Sequence, residues 1–267
     1  MQAMVRKELK ENGRNLLIWI GAMLGMVVIG AAEYSIVVMD AAEEIMELFQ
    51  SLPRVFGIVF GADESMSIST PIGYYIMMYL WYCIVAFIHA AVLGATIISK
   101  EERNRTAEFI FTKPFPRKDI ITSKIIAAIV NVIIITLTAW IGNLIMLAPQ
   151  IEGESILSVI AITSLSMFFI QILFLFTGLL FSAIFSSYGK ALSFSAVLVA
   201  LSYFLMVLIK LIGTIDYLSI FTPFMYFTGP AIVENGISLI YLLLTVVITI
   251  MAGYLTYSKY ESRDLHN

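Results

Sequence analysis

Charge, cysteine and histidine are all scarce in this sequence, and each shortage removes a class of protein. Charged residues make up 13% of the 267 residues and hydrophobic residues 60%, whereas a water-soluble domain carries about 25% charged residues. A chain of this size with so thin a polar coat cannot face water on all sides, so most of its surface must face lipid. The single cysteine, Cys83, lies in an apolar run and permits no intrachain disulfide. The two histidines, His89 and His266, stand far apart, and the sequence holds no H-E-x-x-H pair for zinc. The G-x-x-x-x-G-K-[ST] phosphate loop is missing too, so the chain has no usual seat for ATP. Tyr188, Gly189 and Lys190 resemble that loop only in placing a glycine before a lysine. No serine in the apolar runs has a histidine or lysine at a telling spacing, which leaves an intramembrane hydrolase unsupported. No catalytic and no metal-binding residues are expected. The net charge of −3 offers no basic surface to nucleic acid.

What is abundant is long apolar sequence. A helix crosses the hydrocarbon core, about 30 Å thick, with roughly 20 residues. Six stretches reach that length: residues 16–38, 72–98, 125–147, 156–185, 191–212 and 237–257. The first exceeds a signal-peptide core and no small-residue cleavage site follows it, so a span is expected there. The fold class is therefore an all-α membrane protein of six transmembrane helices, one permease-sized domain over residues 1–267. Lysine and arginine orient it. Arg6, Lys7, Lys10 and Arg14 precede span one, and Lys100, Arg103, Arg105, Lys113, Arg117, Lys118 and Lys124 lie between spans two and three. Lys190 follows span four, and Lys259 and Arg263 follow span six. All fall on one side, expected to be the cytoplasm, with both termini there. The other side holds Asp40, Glu43, Glu44, Glu47, Asp63, Glu64, Glu152, Glu154, Asp216 and Glu234, with Arg54 as its one base.

The connecting segments have characters of their own. Residues 1–14 place Met1, Met4, Val5 and Leu9 near one helical face and the bases mostly elsewhere, as in an amphipathic helix lying among lipid headgroups. The pattern equally fits an ordinary basic flank to span one. Residues 99–124 form a cytoplasmic segment too long for a turn and too apolar for a loose tether. Phe109, Ile110, Phe111 and Phe115 stand among its charges. Thr106 to Thr112 can form a short helix that Pro114 ends, and Pro116 is placed to open the next. Such a knob suits docking to a soluble partner, and an ordered loop is the plainer reading. The outer stretch 214–236, broken by Pro223 and Pro230, carries Tyr217, Phe221, Phe224, Tyr226 and Phe227 as an interfacial aromatic segment. Within the spans, Glu33 and Lys210 lie at similar depth. They either pair across the bundle or reach separately to the headgroups. His89, Asn131, Asn143 and Gln171 read as interhelical hydrogen-bonding groups.

This set of features resembles the type-2 ABC exporter permeases. The most specific match follows span two: Glu101, Glu102 and Arg103, then Thr106, Ala107 and Glu108, the apolar Phe109 to Phe111, Pro114, Arg117 and Lys124. Arg105 departs from the glycine common in that family. The FTPFMYF stretch at 221–227 resembles the proline-aromatic segment that precedes its last span. The resemblance implies a membrane subunit that pairs with a second permease, alike or different, and with two copies of a soluble ABC ATPase that bind ATP and Mg. No cofactor then belongs to this chain. Residues 106–112 would be the coupling helix, with Thr106, Glu108, Phe109, Phe111 and Arg117 in contact with the ATPase. Ser187 and Lys190 would give a second, smaller contact. The substrate path would run between the two permeases, lined partly by spans one, two and five. A bacterial or archaeal cell membrane is the expected location.

Three other classes remain open at this stage. A secondary transporter lacks support because no internal repeat is visible, and a membrane enzyme lacks a catalytic cluster. A non-transporting assembly or sensory subunit would carry the same knob. The topology is testable directly. In a Cys83→Ser background, cysteines at Glu44 or Asp216 are expected to react with an impermeant maleimide in sealed cells. Cysteines at Arg14 or Lys190 should react only after the membrane is opened, and labelling of both sets from one side would rule out the six-span reading.

Overall fold

The computed structural model describes residues 1–63, 65–100, 116–151, 156–185 and 187–261, almost all of them helical. Six helices are long and apolar enough to cross a membrane. They are α1 (Gln2–Tyr34), α4 (Pro71–Ile97), α5 (Arg117–Met146), α6 (Leu157–Ile184), α7 (Tyr188–Ile212) and α9 (Leu239–Glu261). Three short helices, α2 (Ala42–Ser51), α3 (Arg54–Phe60) and α8 (Gly229–Asn235), lie in the connections at the acidic end of the bundle.

Hydropathy alone starts two of these helices too late, α1 and α5, and at α5 the expected opening by Pro116 is the better guide. The amphipathic segment at residues 1–14 is helical but not separate, because it forms the first turns of the 33-residue α1. No proline interrupts it, and Gly13 is compatible with a helix. At 1.5 Å per residue α1 is about 50 Å long, so part of it must lie outside a core of about 30 Å. As expected from Pro116, α5 begins at Arg117, about two turns before the apolar run, directly after that proline with its extended backbone (ψ 140°). Charge ends a run of hydropathy, but only backbone geometry ends a helix. The start of α4 and the end of α7 carry conventional signals. Thr70 accepts a hydrogen bond from the Gly73 N–H at 3.1 Å ahead of Pro71. Gly213 closes α7 in the left-handed region.

In lipid the hydrophobic effect does not press helices together, so close backbone contact and buried hydrogen bonds do so. The most extensive contact joins α4 to α6. A Cβ on Gly94 would lie 2.2 Å from the Leu175 carbonyl oxygen, and one on Gly178 would lie 2.5 Å from that of Ala91. The two helices therefore touch backbone to backbone. Tyrosines on α4 stitch it to three other helices. Tyr74 donates to the Gly30 carbonyl of α1 at 2.8 Å, Tyr75 meets Thr163 of α6 at 2.7 Å, and Tyr82 donates to Asn143 of α5 at 3.2 Å. Gln171 donates to Thr136 at 2.8 Å, joining α6 to α5. Asn143 and Gln171 thus bridge helices. Asn131 and His89 are buried, yet Asn131 Oδ1 and His89 Nδ1 make no hydrogen bond, and the His89 ring packs on Trp19.

The acidic-end connections fold back onto the bundle. Gly61 (φ +90°) ends α3 and turns the chain toward Asp63. Tyr203 donates to the Val59 carbonyl at 2.8 Å and Trp81 to that of Phe60 at 3.2 Å. The aromatic stretch expected at the interface is split. Tyr217 and Phe221 are exposed, whereas Phe224, Tyr226 and Phe227 are buried. Phe224 enters a ring cluster with Phe87, Phe174 and Tyr203. The glycine contact gives a sharp test. Gly178→Ala should destabilise the detergent-solubilised protein by about 3 kcal/mol, the upper end of overpacking costs. Gly21→Ala, with open space around it, should be near neutral. Equal unfolding temperatures for the two variants would contradict the close approach.

Candidate functional site

Residues 101–115 lie outside the described residues, and with them Thr106, Glu108, Phe109 and Phe111. The chain on either side is described, and it is held by charge. Beyond α4, Ser99 donates from its hydroxyl to the Ala95 carbonyl at 2.7 Å and from its N–H to Ser182 Oγ of α6 at 3.1 Å. The next residue, Lys100, bonds Glu8 at 2.5 Å and Glu11 at 2.9 Å, both on α1. On the far side of the segment, Lys124 of α5 bonds the other oxygen of Glu8 at 3.1 Å and the Ile97 carbonyl at 3.0 Å. Glu8 is 5% exposed and Lys124 1%.

One carboxylate thus accepts from Lys100 before the segment and from Lys124, two turns into α5, beyond it. Removing two opposite charges from water is costly, and the arrangement holds because nearly every donor and acceptor finds a partner. Burial alone would lower the Lys100 ammonium, but Glu8 and Glu11 outweigh it and hold its pKa above the ordinary lysine value. A second set of contacts ties the start of α5 to the end of α9. Arg117 donates to the Glu261 carbonyl at 3.2 Å, Lys118 pairs with the Glu261 carboxylate at 3.3 Å, and Thr122 meets the Tyr257 hydroxyl at 2.8 Å. The exposed Lys118 pair contributes little. The half-buried Arg117 is better placed to fix direction.

Ser187 and Lys190 are exposed at the turn from α6 into α7, beside Phe185 stacked on Phe194 at 4.5 Å. Glu33 and Lys210 do not pair with each other. Lys210 bonds Asp63 at 2.8 Å, and Glu33 is exposed. The reason is the fold-back after α3, which the sequence pattern does not reveal and which brings a nearer carboxylate to Lys210. Burial pushes the Asp63 carboxyl up, but the Lys210 ammonium and Ser65 outweigh it and hold it below the usual range. An open apolar groove of about 350 Å³ runs between α4 and α7, lined by Trp81, Ile84, Ile88, Val199, Tyr203 and Phe204.

Glu8, Glu11 and Glu261 were not singled out by sequence. A signal for Glu8 exists, because it lies three residues from Val5 and one from Leu9, an acid on the apolar face of a basic helix. Residues 2–265 match the model of a family described as ABC-2 family transporter protein. No curated protein shows significant similarity.

The buried pair predicts an asymmetric mutational response. Lys124→Met, which strands the Glu8 oxygen that faced it, should cost about 3 kcal/mol. The double variant with Glu8→Met should recover part of that loss. Unfolding in one detergent measures both, and a single variant as stable as wild type would mean the pair does not form.

Proposed function

Because the chain belongs to the ABC-2 family of transporter proteins, we propose that it is the permease subunit of an exporter driven by separate ATPase subunits. The sequence holds no phosphate loop, so ATP and Mg would be bound by two copies of a soluble partner. The basic end of the bundle would face the cytoplasm, where the positive-inside rule puts such loops. There residues 101–115 would dock on the ATPase, with Glu108 and Arg117 carrying charge contacts, Phe109 and Phe111 as apolar anchors, and Thr106 beside them. Ser187 and Lys190 would supply the smaller contact.

The observation that carries this reading is the fixing of Lys100, just before the segment, and of Lys124, nine residues after it, to α1 through Glu8. Force delivered to those two lysines would reach α1 directly. A second permease, identical or related, would complete the substrate path. The groove between α4 and α7 lies on two of the spans expected to line it.

Affinity capture of tagged, detergent-solubilised protein from native membranes, followed by mass spectrometry, tests the assignment. Wild type should bring down an ABC ATPase, and a folded Glu108→Ala, Phe109→Ala double variant should lose it. Wild type without an ATPase, under conditions that preserve membrane complexes, would overturn the reading.

A further inference from the structure

We propose that the groove between α4 and α7 binds one acyl chain of a phospholipid from the surrounding bilayer and holds it as a fixed part of the fold. Its walls include Ile84, Ile88 and Ala91 on α4, and Ala196, Ala200 and Phe204 on α7. The alanines make the hollow, because each leaves out bulk between larger neighbours. Only two side chains in the lining carry a polar atom, and both are committed. Trp81 Nε1 donates to the Phe60 carbonyl and the Tyr203 hydroxyl to that of Val59. The helical backbone behind them bonds within itself. A sugar, an ion or a peptide would find nothing in the groove to replace the hydrogen bonds it leaves in water. An alkyl chain has none to lose.

Size and place narrow the occupant further. From Trp81 to Val92 the groove follows α4 for eleven residues, about 16 Å. Spread over that length, its volume gives a mean section of about 20 Å², the girth of one extended alkyl chain. A helix, about 10 Å across, could cover such a slot but could not enter it. The slot also sits well inside the spans, since Trp81 lies ten residues from the start of α4 and Ala196 eight from the start of α7. Ile88, Ala196, Ala200 and Phe204 are exposed, so the slot opens away from the bundle, where the chains of the bilayer meet it. This inference stands whether or not the protein transports.

Trp81 reports on the groove directly. In the full chain with Trp19→Phe and Trp140→Phe it is the one tryptophan left. The purified protein, in detergent that has replaced loosely held lipid, is titrated with phosphatidylcholine brominated at mid-chain, which quenches tryptophan on contact. Quenching should saturate at one lipid per chain, and unbrominated phosphatidylcholine should reverse it. Ala200→Phe, which fills the hollow, should at least halve the quenching. Leu201→Phe, at the neighbouring exposed position outside the lining, should leave it unchanged. If Ala200→Phe does not fold, Ala196→Leu narrows the same slot and should weaken the quenching. Quenching that never saturates, or that keeps its full size in a folded groove variant, overturns the proposal. So does a Trp81 shielded in a dimer and quenched only after the dimer dissociates, which would give the groove to a second copy of the chain.

Discussion

Hydrocarbon offers no hydrogen bonds, so every peptide group that crosses it must be satisfied within the chain. From that constraint come six long helices, the clustering of charge at the two ends, and the weight placed on the few polar contacts between helices. Tyr74, Tyr75 and Tyr82 each spend their hydroxyl on a different neighbour of α4. Where no polar group is used, α4 and α6 bring their backbones into contact at Gly94 and Gly178.

The same constraint explains the construction of the basic end. Once the chain leaves the apolar core, charge becomes affordable, yet Glu8 and Lys124 stay buried. They are tolerated because their hydrogen bonds are met and because Lys100 and Glu11 extend the pair into a chain of alternating sign. A lone lysine at the depth of Lys124 would be expelled or neutralised. The result is a polar lock among α1, α4 and α5, beside the α5–α9 contacts of Arg117 and Thr122.

Most of the architecture was legible in the sequence because hydropathy and length report directly on the solvent a helix meets. The spans, the segregation of charge and the helical N-terminus could all be read in this way. What escaped depends on facing and on long-range return of the chain. Glu8 reads as one charge among many until its position on the helical face is considered. The partner of Lys210 depends on a left-handed turn at Gly61 that brings Asp63 back to the bundle. Phe224 reads as an interfacial ring because composition does not show that its segment dips inward to meet Phe87 and Phe174.

The glycine contact between α4 and α6 has a mechanical meaning that follows from its position. With no side chains between the backbones, the two helices cross at the shortest separation their chains allow. Gly94 lies three residues from Ile97 and twenty-three from Pro71, giving arms of about 5 Å and about 35 Å. Any rigid tilt of α4 about that crossing would therefore displace its acidic end several times farther than its basic end. The crossing divides the helix unequally, with the short arm at the basic end.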